Sequence, residues 1–208
     1  MKMKLKICGM RDEANIMDVA SLQPDYLGFI FYPKSPRFVG DDFVLPANLT
    51  PEILRVGVFV NETSSVILDK AKAYQLDYIQ LHGNETPDQC AVLGELGLGI
   101  IKVFSVGDDF DFEITRPYKK VVDYFLFDTK GKSYGGNAKT FNWELLKQYD
   151  QEIPFFLSGG LSPENVNEVL TLKNMNIHAL DVNSGVEASP GLKDITKVAE
   201  LHEKLRAL

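Results

Sequence analysis

The sequence predicts an α/β fold, a (β/α)8 barrel of the TIM type, with residues 1–208 forming a single domain. Three observations predict it. Eight apolar β-type runs recur along the chain: "KLKIC", "DYLGFIF", "LRVGVFV", "YIQLH", "GIIKVF", "YFLFD", "PFFLS" and "ALDVN". They end near Cys8, Phe31, Val60, His82, Phe104, Asp128, Ser158 and Asn183, 22 to 30 residues apart, which suits one strand, one helix and two short loops. No G-x-G-x-x-G fingerprint follows the first run, as it would in many open doubly wound sheets, and the even spacing and count of eight favour closure.

The segments between the runs mostly carry helical patterning. "SSVILDKAKAY" places Ile67, Ala71 and Tyr74 on one stripe. "TPDQCAVLGEL" begins with Thr86 as N-cap, Pro87 at the first helical position and Gln89 closing a capping box. "SPENVNEVLTL" repeats that opening with Ser162 and Pro163, and puts Val166, Val169 and Leu170 on one face. The last segment offers Ile195, Val198 and Ala199, then Leu201, Leu205 and Leu208. Two crossovers read as poorly helical: "GDDFVLPANLTPEI", with its two prolines, and the acidic "GDDFDFEITRPYKKV".

Bulk composition narrows the function classes. Hydrophobic residues make up 45% and charged residues 25% of the chain, the balance of a globular domain with a sizeable core. The net charge of −7 argues against nucleic acid as a partner, because phosphate-backbone binding needs a basic face. No apolar stretch is long enough to span a bilayer, and the lysines alternating with apolar residues in "MKMKLKICG" do not form a signal-peptide core. Two isolated cysteines, Cys8 and Cys90, fit a reducing compartment. The expectation is a cytoplasmic monomer. Three scattered histidines and two cysteines suggest no metal cluster.

In a barrel of this type the chemistry sits at the C-terminal ends of the strands. Those ends bring together Cys8, Arg37, Asn61, Gln80, His82, Lys102, Asp128, the "SGG" turn at 158–160 and the "DVNSG" turn at 181–185. The glycine-rich turns after strands 7 and 8 suit a phosphate, since their N–H groups can point at an anion; either could also be a tight turn. Cys8 and Asp128 are the candidate proton carriers. A free thiol titrates near ~8.5 and a carboxyl near ~3.9, so each needs its pKa moved to work at neutral pH. Otherwise Cys8 is a small buried hydrophobe, as Cys90 is expected to be, and Asp128 a helix cap or salt-bridge partner. Arg37, fixed behind Pro36, is placed to grip a carboxylate bidentately. His82 reads equally as a core histidine or a substrate contact.

Taken together, "KICGM", "LGFIFYPKSPRFV", "VGVFVN", "IQLHGNE", "LFDT", "FFLSGGLSPENV" and "DVNSGVEASPGLKD" resemble the phosphoribosylanthranilate isomerases of tryptophan biosynthesis over nearly the whole chain. The resemblance implies an Amadori rearrangement of N-(5'-phosphoribosyl)anthranilate, a small phosphorylated substrate, with neither cofactor nor metal. It implies Cys8 as general base and Asp128 as general acid. It places Arg37 at the anthranilate carboxylate, Asp181 at the sugar, and Gly159, Gly160, Ser184 and Gly185 around the phosphate. "GGNAKTFNW" departs from the family's usual "GG(S/T)G..FDW" at Asn137, Ala138 and Asn142, which bears on the dynamics of that loop.

Other phosphosugar barrels are the nearest rivals. Indoleglycerol-phosphate synthase chemistry would want a strand-end lysine, for which Lys102 is the candidate. The histidine-pathway aldose isomerase would want an aspartate in place of Cys8. A non-catalytic phosphate-binding barrel would have no use for both Cys8 and Asp128.

Overall fold

The structure, a computed structural model, describes residues 3–129, 142–172 and 174–207. Eight parallel strands pair in chain order: β1 (Lys4–Ile7), β2 (Tyr26–Ile30), β3 (Leu54–Phe59), β4 (Tyr78–Leu81), β5 (Gly99–Val106), β6 (Tyr124–Thr129), β7 (Phe155–Leu157) and β8 (Ile177–Val182). Pairing of β8 with β1, Asp181 opposite Lys6, closes the barrel. Every strand stops within two residues of its expected end. A short antiparallel hairpin, β9 (Glu187–Ser189) and β10 (Leu192–Lys193), follows β8.

Strand alternation builds two cores. Outward-facing Leu5, Ile7, Phe125, Phe127 and Phe155 pack against the surrounding helices and loops. Inward-facing Tyr26, Val56, Ile101, Val103, Leu126, Phe156 and Ala179 fill the barrel's interior. Fully burying one such apolar side chain contributes roughly 1.5–3 kcal/mol, so the interior layer is a packed floor, not a channel. Above it, toward the C-terminal ends, a small cluster of Cys8, Ile30 and Val58 is joined by polar Gln80, His82, Asp128 and Asp181. That change of character leaves a hollow at one end.

Among the described residues four α-helices cover the outside: α1 (Glu13–Ser21), α2 (Ser64–Tyr74), α3 (Pro87–Glu95) and α4 (Ile195–Ala207). Ile67 and Ala71 are buried as the α2 stripe requires, and Val198, Leu201 and Leu205 as that of α4. Leu208 lies outside the described residues. Thr86 caps α3 by accepting from the Gln89 N–H, with Pro87 in the first turn. The capping box is only half made, because the Gln89 amide instead donates to the Glu62 carbonyl at 2.8 Å, tying α3 to the loop after β3.

The segment after β7 corrects a second expectation. It forms turns and then a 3-10 helix, Val166–Leu172. The Asn165 side chain accepts from the Ser162 N–H at 2.9 Å and donates to the Gly160 carbonyl at 2.8 Å, so local side-chain bonds hold the turn open. Val166, Val169 and Leu172 are buried, a spacing of three that matches a 3-10 helix, whereas Leu170 is exposed. The two crossovers expected to be poorly helical are so: residues 31–53 form turns and an isolated bridge, and Phe112–Tyr118 a 3-10 helix.

Candidate active site

Cys8 follows β1 directly and is fixed by its N–H to the Val182 carbonyl at 2.8 Å. Its thiol occupies space that exists because residue 28 on β2 is glycine: a Cβ there would lie 2.7 Å from the sulfur. Asp128, near the end of β6, enters the same hollow, and both residues line it together with His82, Ser158, Asp181 and Asn183. The base and acid candidates, 120 positions apart in the sequence, thus share one cavity at the C-terminal ends of the strands.

The electrostatics of the pair are asymmetric. Burial pushes the Asp128 carboxyl up to about 6; its Oδ1 accepts the Thr129 N–H at 2.9 Å, which pulls the other way, and nearby Asp181 adds to the rise. Burial likewise pushes the Cys8 thiol up, opposed chiefly by the Lys6 ammonium. His82 Nε2 lies 3.6 Å from Asp128 Oδ2. Burial, with Lys102 and Lys6 nearby, holds that imidazole down to about 3, so His82 is neutral at pH 7 and faces Asp128 as a polar group, not as a cation.

A buried polar chain runs beneath the mouth. Lys6 Nζ donates to Asp181 Oδ1 at 2.7 Å and to Gln80 Oε1 at 2.8 Å. The Gln80 amide nitrogen sits 3.3 Å from His82 Nδ1. With Nδ1 accepting from that amide, the imidazole proton is assigned to Nε2, on the Asp128 side. Lys6 went unnoticed in the sequence because "KLKIC" reads as lysines facing solvent. In a closed barrel the same alternation sends every second residue inside, which was the available clue.

The residues of the two glycine-rich turns lie together. Gly159, Gly160, Ser184 and Gly185 line a second hollow with Asp128, Ser158 and Asp181, which therefore border both cavities. Gly159 and Gly160 adopt φ of +96° and +67°, so the turn needs glycine for its backbone as well as for access.

Arg37 is set back. Its guanidinium pairs with the buried Glu187 at the start of β9, and it is absent from the residues lining either hollow. Lys193 of β10 joins the same carboxylate at 2.7 Å. Glu187 and Lys193 were missed by reading strand ends alone, since both come from the hairpin beyond β8.

Lys102 faces away from the mouth. Its neighbours Ile101 and Val103 point into the barrel, and its Nζ bonds Glu85 Oε2 at 2.9 Å and the Gly83 carbonyl at 2.8 Å. It braces the loop after β4 and is not the strand-end lysine a synthase would need. Asn142 caps the 3-10 helix Trp143–Gln148, accepting from the Glu144 N–H, while Asn137 and Ala138 lie outside the described residues. Among the described residues no three His, Cys, Asp or Glu side chains gather as a metal site.

Comparison with known proteins gives this geometry its context. The family model described as N-(5'-phosphoribosyl)anthranilate (PRA) isomerase matches residues 5–204. The chain belongs to the N-(5'-phosphoribosyl)anthranilate isomerase family. A relative of that name from Parabacteroides distasonis is 44% identical over 208 residues, covering 98% of this chain and 93% of its own. The crystal structure of the isomerase from Thermotoga maritima superposes with a TM-score of 0.87 at 36% identity, covering 99% of this chain and 100% of that one. A second isomerase structure, in complex with reduced 1-(o-carboxyphenylamino)-1-deoxyribulose 5-phosphate, has a TM-score of 0.83 at 34% identity, with 99% and 100% covered. The isomerase family therefore accounts for the whole barrel, as the resemblance of its motifs implied.

Proposed function

We propose that this chain isomerises N-(5'-phosphoribosyl)anthranilate to 1-(2-carboxyphenylamino)-1-deoxyribulose 5-phosphate, the third step of tryptophan biosynthesis from chorismate. The observation that carries the reading is the shared cavity of Cys8 and Asp128, bordered by a glycine-lined hollow. The family relative that binds the reduced product analogue supports a phosphorylated ligand of this kind.

In this reading Asp128 gives its proton to the ribose ring oxygen, and the C1–O bond breaks to leave a protonated imine. The Cys8 thiolate then takes the C2 proton, and the C–H electron pair forms the enolamine while neutralising the imine nitrogen. Tautomerisation to the ketose completes the rearrangement. The substrate's own nitrogen is the electron sink. Gly159, Gly160, Ser184 and Gly185 take the phosphate, Asp181 the sugar, and Arg37 the anthranilate carboxylate. Two anchored ends hold the reacting carbons between acid and base.

The acid titrates below the base, so the working state of thiolate plus carboxylic acid is a minority at every pH. Such a pair still gives a flat rate between the two pKa values, because loss of one proton form offsets gain of the other. Two free buried cysteines support a reducing, cytoplasmic setting; among the described residues no helix is long and apolar enough to cross a membrane. The test is the decay of anthranilate-substrate fluorescence on adding purified protein. Turnover is expected; phosphate binding without turnover would instead leave a non-catalytic barrel.

A further inference from the structure

Lys6 is wholly buried at the level where the barrel's apolar interior gives way to its mouth. A buried ammonium is costly unless it is paired and its N–H groups are used, and a barrel interior is ordinarily filled by branched apolar side chains. Two donors of Lys6 are engaged, by Asp181 Oδ1 at 2.7 Å and Gln80 Oε1 at 2.8 Å, and the ammonium is close enough to Cys8 for each to act on the other's charge. Cys8 stands two residues along on the same inward face, so the ammonium lies beneath the thiol. Burial works against the charge on Lys6, but Asp181 and Cys8 more than offset it, and the group stays protonated.

We propose that Lys6 is a positioning residue of the reaction: its ammonium, anchored by Asp181 and Gln80, is the counter-charge that accepts Cys8 as a thiolate. The proposal rests on the reading of Cys8 as the base. Lys6 neither gives nor takes a proton. It donates a hydrogen bond to the sulfur anion, and that bond weakens when the sulfur gains the C2 proton. Asp181 has the opposite influence on the sulfur because its carboxylate repels a second anion. The other charged or titratable groups around Cys8 are Lys193 on β10, Asp128 on β6 and His82 after β4.

The test uses the full chain carrying Cys90→Ala, which leaves Cys8 as its single thiol. The rate of iodoacetamide alkylation is followed against pH, with Lys6→Met and Asp181→Asn added separately. Lys6→Met is expected to raise the alkylation midpoint by about one unit or more, and Asp181→Asn to lower it. In the isomerase assay Lys6→Met is expected to cut kcat at least ~10-fold with KM little changed, as a more basic, less ionised thiolate predicts. A brace without an electrostatic role would not move the two midpoints in opposite directions. Midpoints that stay put, or shift the same way, overturn the proposal. Should Lys6→Met fail to fold, Lys6→Gln takes its place, and the Asp181→Asn midpoint alone still refutes the idea if it does not fall. Full activity in Cys8→Ser would instead overturn the base itself, whatever the midpoints do.

Discussion

Arg37 and Glu187, 150 residues apart, are joined by a two-pronged ion pair: Nη2 to Oε2 at 2.7 Å and Nε to Oε1 at 2.9 Å. The fork that could meet a substrate carboxylate is thus already held by a protein carboxylate. Arg37→Ala is expected to raise KM with kcat little changed. Glu187→Gln keeps the shape but loses the charge, and should raise KM less, by about tenfold, the worth of one weakened charge-assisted bond at ~1.4 kcal/mol. Steady-state kinetics check both; an unchanged KM in Arg37→Ala would remove it from substrate binding.

Gly28 leaves the room that the Cys8 thiol fills. Gly28→Ala places a methyl against that sulfur, and overpacking of this kind costs roughly 1–3 kcal/mol. The variant should show a lower Tm and a kcat reduced by more than its KM changes, because the base is displaced. Calorimetry and kinetics on the same preparation decide it, and wild-type kcat would show that the thiol's place is not critical.

The pH profile of kcat/KM should be bell-shaped. Its acid limb falls near the Asp128 value of about 6, and its alkaline limb lies above the ordinary thiol range because burial raises Cys8. Between the limbs the rate is flat. A single limb, or an optimum confined to the region below pH 6, contradicts the paired assignment.

His178 marks the other end of the barrel, with Nε2 at 2.8 Å from the Tyr26 hydroxyl. Burial lowers it to about 4 in the folded state, against 6.5 as its ordinary value. Between those values the unfolded chain binds more protons, so His178 contributes stability above about pH 6.5 that is lost as pH falls toward 4. His178→Phe should therefore lose less Tm than wild type over that interval. Raised Asp128 opposes the trend in both proteins, so the comparison isolates His178; equal slopes would refute it.

Much of this was legible because periodic features are local. Strand ends, the Thr86–Pro87 start and the stripe of α2 follow from short-range chemistry, and the barrel's rule then puts Cys8 and Asp128 at one mouth. The helix expected at Ser162 was not legible, because the Asn165 side chain competes with the backbone there. Lys6, Glu187 and Lys193 were hidden for a different reason. Their partners lie far along the chain, and closure of the barrel alone shows that a lysine in an alternating run faces inward.

The most direct measurement is kcat for Cys8→Ser and Asp128→Asn, each purified and shown to be folded, in the anthranilate fluorescence assay. If a sulfur base and a carboxyl acid face each other across the sugar, each substitution lowers kcat by about 10²–10⁴-fold, the ordinary worth of a positioned proton carrier. Near-normal turnover by either variant would contradict that pairing.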